Sequence, residues 1–254
     1  MPVATTQSST IDSPADRSPR AGAVVVLAAH NEAERIVATL AALARAFPRA
    51  PVWVADDGST DATAQIAREA GAHVVSSATA IGKGAAVTRA AREAWRDAQA
   101  TSAGSDIETI FVLCDGDLGD SAVELGALAD VVARREADIA VGAFATRIGG
   151  GFGLALTFAR WAIRRRCGLQ TVAPISGQRA LRARVLADVL PLAHGFGMEI
   201  GMTIDAVRNG WRVREVELQL THRASGRTPA GFLHRARQMI DFLRVYVSRR
   251  PARA

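Results

Sequence analysis

Two carboxylates one residue apart, Asp115 and Asp117, follow an unbroken apolar run, Ile110-Phe111-Val112-Leu113-Cys114. Such a run reads as a strand buried on both faces, with Asp115-Gly116-Asp117 at its carboxyl end. There the chain leaves β geometry, and both side chains can turn toward one divalent cation. Hard oxygen ligands of this kind suit Mg²⁺ or Mn²⁺ carrying phosphate. A plain strand-ending turn is the other reading of the triplet taken alone. Lys83 is the second group that could do chemistry. It is the sole lysine among 31 basic residues and stands between Gly82 and Gly84. The glycines let backbone approach a ligand, a following helix N-terminus favours an anion, and a lone ammonium serves as a point charge for phosphate. A solvated lysine at a helix start fits the same residues. Asn31 and Glu32, and likewise Asp56 and Asp57, close two further apolar runs.

These groups need elements to position them. Residues 1–20 are Ser, Thr, Pro and charge without periodicity and read as a disordered leader. The pattern then predicts a strand over 21–29, a helix running to 46 and stopped by Pro48, a strand over 51–55, a helix over 60–70 and a short strand over 72–76. A helix over 85–99, the central strand at 110, a helix over about 121–135 and a strand over 138–143 follow. Strands alternating with helices predict an α/β architecture with a mostly parallel sheet covered on both faces. Ligands of such sheets sit beyond the carboxyl ends of the strands, where the marked residues fall.

Composition narrows the function. The formal charge of +6 is concentrated in residues 201–254, which hold eleven Arg against four acidic residues. A phosphate-bearing small molecule or an anionic membrane surface explains that field. Nucleic acid is not the expected partner, because aromatic-interleaved basic platforms are missing and the chain has a single Tyr. Cys114 and Cys167 show neither a disulfide framework nor metal-ligand spacing, so a reducing, cytoplasmic setting is expected. No apolar run approaches the roughly 18 to 20 residues of a membrane span. The first strand lacks Gly-x-Gly-x-x-Gly and Lys83 lacks the P-loop context, which argues against an NAD site and a P-loop ATPase.

The succession Ala28-Ala29-His30-Asn31-Glu32, Asp56-Asp57-Gly58-Ser59-Thr60-Asp61, Gly82-Lys83-Gly84 and Asp115-Gly116-Asp117 resembles the nucleotide-sugar half of the GT-A glycosyltransferases, in particular family 2, over roughly residues 22–145. The resemblance implies a GT-A, Rossmann-like fold: a mostly parallel central sheet flanked by helices, with a smaller acceptor-side elaboration. By it, Ala28, Asn31, Glu32 and Asp57 surround the nucleoside of a UDP- or GDP-linked donor and Lys83 contacts the diphosphate. Asp115 and Asp117 match the Asp-x-Asp motif, with Asp117 on the metal and Asp115 facing the ribose or the metal shell. Where this chain has Ala29 or His30, most members have Pro. The chain then divides into a leader (1–20), a nucleotide-sugar half (21–145) and an acceptor half (146–254).

In the second half, Gly149-Gly150-Gly151-Phe152-Gly153 reads as a flexible segment, either an acceptor lid or a linker, before a helix over 154–166. A helical run from Gly195 to Asn209 and a strand over 211–220 come later. The blocks Pro174-Ile175-Ser176-Gly177-Gln178-Arg179-Ala180-Leu181, Gly195-Phe196-Gly197-Met198-Glu199-Ile200 and His222-Arg223 resemble the acceptor half of bacterial family 2-like enzymes and the related glucosyl-3-phosphoglycerate synthases. That resemblance implies that His222 completes the metal site and that Glu199 lies near acceptor and sugar. Arg179, Arg223 and Arg227 would meet the acceptor. A surface histidine and a glutamate placed for the helix dipole are the plain readings of His222 and Glu199. Ser176-Gly177-Gln178 departs from the Ala-Gly-Glu type of the phosphoglycerate enzymes and is nearer to lipid-phosphate relatives.

The implied reaction is metal-dependent transfer of a sugar to a phosphate-bearing or polyprenyl-phosphate acceptor, with Lys83, Asp117 and Glu199 at the reacting centre. Transfer to a small acid such as 3-phosphoglycerate is the alternative, and a catalytically inactive nucleotide-binding protein is the alternative of another class. An inverting transfer to a hydroxyl needs a carboxylate base, whereas a phosphate acceptor needs none. Residues 231–250 carry an apolar stripe ringed by arginines. A peripheral contact with the inner face of the membrane, a homodimer contact and packing on the sheet all fit that stripe.

Overall fold

Apolar runs bounded by turn residues form seven strands of one sheet in a computed structural model that describes residues 20, 22–101, 108–144, 153–220 and 229–249. In chain order the elements are β1 (Ala23–Ala29), α1 (Ile36–Ala46), β2 (Val52–Asp56), α2 (Thr63–Glu69), β3 (His73–Ser76), α3 (Lys83–Thr101) and β4 (Ile110–Asp115). A 3-10 segment, Gly119–Leu125, leads into α4 (Gly126–Ala133), followed by β5 (Ile139–Phe144), α5 (Gly153–Cys167), β6 (Arg179–Arg182) and α6 (Ala183–Val189). A short 3-10 turn, Gly195–Gly197, opens α7 (Met198–Arg208), and β7 (Val213–Leu218) and α8 (Pro229–Ser248) complete the described chain.

The strand order is β3-β2-β1-β4-β6-β5-β7. Only β6 runs antiparallel to its neighbours, β4 and β5, and the other pairs are parallel. Alternation along the strands gives the sheet two apolar faces. Val25, Leu27, Val112 and Cys114 join the core under α1 and α4, while Val24, Val26, Phe111 and Leu113 join the core under α3, α6 and α7. Asp115 continues the second series. The pleat therefore aims its side chain at the layer that carries α3 and α7. A third apolar cluster, including Ala159, Ile163, Ile204, Phe242 and Val245, joins α5, α7 and α8.

Several expectations change. The helix predicted over 121–135 is a 3-10 segment followed by α4, and α3 begins at Lys83 itself. The PISGQRALR block contains β6, which enters the middle of the sheet. The boundary near 145 thus separates halves in sequence while both supply strands to one sheet. Arg20, assigned to the leader, is anchored: its guanidinium grips both oxygens of Asp130 at 2.8 and 2.7 Å and donates to the Ala46 carbonyl. Residues 145–152, which include most of the predicted glycine segment, lie outside the described residues. No helix among the described residues is long and apolar enough to cross a membrane.

Candidate active site at the carboxyl edge of the sheet

Parallel pairing of β2, β1 and β4 brings three loops to one edge. The Gly116 amide donates to the Ala28 carbonyl at 2.9 Å and the Asp57 amide to the Ala29 carbonyl at 3.0 Å, so the ladder extends into the loops. Asn31 adopts a left-handed backbone with φ 55°. Its Oδ1 accepts the Thr60 amide at 2.8 Å and its own amide donates to Ser59 Oγ. Glu32 donates its amide to Thr63 Oγ1. The Asp57 carboxylate faces the next loop, accepting the amides of Ile81 at 2.6 Å and Gly82 at 3.0 Å. Gly58, between them, has φ 68°, and a Cβ there would lie 2.5 Å from the Thr79 backbone. A residue with a side chain at this position would therefore push apart the two loops that Asp57 ties.

The first residue of α3, Lys83, is held by groups from opposite halves of the sequence. Its Nζ lies 2.6 Å from Asp115 Oδ1 and 2.8 Å from Glu199 Oε1. Asp115 Oδ2 accepts from Gln178 Nε2 at 3.1 Å. Gly177 makes this close approach feasible, because a Cβ there would stand 2.7 Å from both Asp115 Oδ2 and Lys83 Nζ. Burial alone would lower the Lys83 pKa and is the largest single influence. The charges of Asp115 and Glu199, then their hydrogen bonds, together outweigh it and hold the ammonium above its ordinary value. Asp117, two residues on, is partly exposed and takes no hydrogen bond or ion pair among the described residues. Burial pushes the neighbouring Cys114 thiol up, and the charges of Asp115 and Asp117 push it further in the same direction, with Lys83 opposing. Both carboxylates thus contribute to one negative field at the end of β4. Among the described residues no set of three His, Cys, Asp or Glu side chains is assembled that could hold a metal.

Residues 24–190 match the family described as Glycosyl transferase family 2. The chain belongs to glycosyl transferase family 2. It is accordingly a glycosyltransferase, and its mostly parallel sheet is that of a GT-A fold. Solved structures of glucosyl-3-phosphoglycerate synthase from Mycobacterium tuberculosis are similar over most of both chains. One, in complex with phosphoglyceric acid, is 25% identical, with a TM-score of 0.67 over 91% of this chain and 81% of that one. Another, in complex with Mn²⁺ and UDP-glucose, is 28% identical, with a TM-score of 0.63 over 91% and 80%. A third, with UDP, is 25% identical with a TM-score of 0.64 over 91% and 81%. A search of the curated proteins gives no match.

Within this family 2 enzyme the fold gathers Lys83, Asp115 and Glu199, with Asp117 beside them and Asn31, Glu32 and Asp57 on the flanking loops. Glu199 stands in the first turn of α7, beyond the part that matches the family. Arg179 is not at the surface of the site. It is wholly buried, and burial pushes its pKa down to about 10. Its guanidinium donates to the Ser176 carbonyl and to Thr203 Oγ1, both at 2.9 Å, and Thr203 in turn donates to the Glu199 carbonyl. Arg179 therefore supports the turn that presents Glu199, which corrects its expected place against the acceptor. His222, Arg223 and Arg227 lie outside the described residues.

Three site residues escaped the sequence reading. Thr39 is buried on α1, where its hydroxyl donates to the Gly116 carbonyl at 2.8 Å and accepts the Gly119 amide at 2.9 Å, bracketing Asp117. A threonine on the apolar face made by Ile36, Leu40 and Leu43 was its signal. Gln178 and Gly177 stood inside a quoted block, but pairing with Asp115 across 63 positions left no local trace.

Proposed function

We propose that the enzyme transfers a sugar from a UDP-linked donor to a phosphate-bearing acceptor, with Mg²⁺ or Mn²⁺ held by Asp115, Asp117 and His222. The observation that carries this reading is the Lys83 ammonium between Asp115 and Glu199, beside Asp117, which takes no partner among the described residues. The donor chemistry fits a hard divalent cation: two carboxylates share one edge, and among the described residues Asp115 Oδ1 is engaged by the Lys83 ammonium, which has a second partner in Glu199. Bound there, the cation would offset negative charge on the departing nucleoside diphosphate. Asn31, Glu32 and the Asp57-tied loop would enclose the nucleoside, while the amides at the start of α3 and Lys83 would face the diphosphate. The similar enzyme's complexes with UDP-glucose and with phosphoglyceric acid support both substrate classes.

Glu199 is paired with Lys83 and its side chain is only 6% exposed, so its place suits orienting the sugar better than reaching an acceptor. A phosphate oxygen acting as the nucleophile, already ionised, needs no base, and the hydroxyl of a phosphoglycerate would need none from the protein only on a retaining route. Arg223 and Arg227 are proposed to meet the acceptor's phosphate. A polyprenyl-phosphate acceptor at a membrane surface is the second reading. It is favoured by the exposed apolar side chains Leu154, Trp161, Ile240, Leu243 and Val247 on α5 and α8, close to the exposed Arg164, Arg165 and Arg244. The same side chains would serve a homodimer contact.

A side-by-side assay with UDP- and GDP-glucose against 3-phosphoglycerate, glycerol 3-phosphate and polyprenyl phosphate tests the reading by product mass and anomeric configuration. A phosphate-bearing product from the UDP donor is expected. Transfer only to acceptors that carry no phosphate would overturn it.

A further inference from the structure

We propose that Lys83 is the resident counter-ion of the cation site, holding Asp115 in the unliganded enzyme and releasing it as the cation and the nucleoside diphosphate bind. This rests on the donor-site reading above and adds a coupling device to it. The two oxygens of Asp115 are held differently. Oδ2 takes Gln178 Nε2, on a residue that is 2% exposed and whose carbonyl accepts the Gly142 amide at 2.8 Å, so that partner is fixed in the sheet. Oδ1 takes Lys83 Nζ at 2.6 Å, at the end of a four-carbon stem with rotatable donors. Of the two, Lys83 is the exchangeable partner.

A divalent cation on Asp115 Oδ1 and an ammonium on the same oxygen would set like charges side by side, so one displaces the other. Lys83 has a second anchor in Glu199 at 2.8 Å, which lets it let go of Asp115 without becoming an unpaired buried charge. Leaving Asp115 is nevertheless unfavourable until a new anion arrives. The diphosphate supplies one at the start of α3. Cation alone must therefore compete with Lys83, and cation with nucleotide need not. Cooperative binding of the two follows, with Lys83 carrying the coupling.

The composition makes the test direct, since Lys83 is the sole lysine in the chain. Mn²⁺ affinity is measured by electron paramagnetic resonance of the free ion for the wild type and Lys83→Gln, with and without UDP. Without UDP, Lys83→Gln should bind Mn²⁺ at least tenfold more tightly than the wild type, and saturating UDP should abolish or reverse that gap. Acylation of the Lys83 amine in the wild type, read by peptide mass, should be slow in the unliganded enzyme and accelerate with Mn²⁺ alone. Should Lys83→Gln fail to fold with Glu199 left unpaired, Lys83→Gln/Glu199→Gln removes both charges and carries the same comparison. Equal Mn²⁺ affinities without UDP, with the acylation rate unchanged by Mn²⁺, would overturn the counter-ion role alone. Absence of Mn²⁺ binding in every variant, even with UDP, would overturn the donor-site reading and this inference with it.

Discussion

The hydroxyl of Thr39 on α1 donates to the Gly116 carbonyl at 2.8 Å and so clamps the turn between Asp115 and Asp117. Thr39→Val keeps the shape but leaves the buried Gly116 carbonyl and the half-buried Gly119 amide without this partner. A loss of about 1–3 kcal/mol in urea unfolding is expected. Because the clamp sets where Asp117 stands, the apparent affinity for the cation and donor should weaken as well. Unchanged stability and donor affinity would show that the turn holds without Thr39.

Gly177→Ala separates stability from function. The added Cβ would stand 2.7 Å from Lys83 Nζ and from Asp115 Oδ2, the ends of two flexible side chains that can yield. The melting temperature should move little, while transfer falls at least tenfold as the Lys83–Asp115 pair is forced apart. A large drop in melting temperature would mean that the backbone, and not the two side chains, absorbs the clash.

The Arg20–Asp130 pair makes a pH prediction. The hydrogen bond from Arg20, followed by its charge, holds the Asp130 carboxyl below its ordinary value. A depressed carboxylate pKa contributes stability that is present above the ordinary range and is lost as pH falls through the lowered value. Arg20→Ala should therefore be less stable than the wild type near neutral pH, by roughly 1 kcal/mol for a partly exposed pair. That gap should narrow as pH falls below about 4. A gap that stays constant from pH 7 to pH 3 would assign the loss to packing.

Much of the site was legible because its parts sit at strand ends and helix starts. The apolar run ending at Asp115, the lone Lys83 between glycines and the Gly195–Ile200 block each carry a local signature. The fold turns these separate signatures into one contact, with Lys83 and Glu199 116 positions apart. β6 was not legible. Arg-Ala-Leu-Arg has no β-branched residue and begins with an arginine, yet it pairs centrally because Arg179 finds the Ser176 carbonyl and Thr203. The same arginine looked like an acceptor ligand in sequence, since a buried structural guanidinium and a phosphate-binding one are the same residue type. The break at Gly126 was hidden for another reason: both the 3-10 segment and α4 bury residues on a helix-like stripe, including Ala122, Leu125, Leu128 and Ala129.

Metal-dependent use of a nucleotide-sugar donor is proposed for the carboxylates at the end of β4. Release of UDP from UDP-glucose, with 3-phosphoglycerate and polyprenyl phosphate offered as acceptors, tests it most directly when wild type and Asp117→Ala are compared with and without Mn²⁺. Release that requires Mn²⁺, stops on chelation and falls at least a hundredfold in a folded Asp117→Ala variant is the predicted result. Release that proceeds equally without Mn²⁺, or that Asp117→Ala leaves intact, would contradict it.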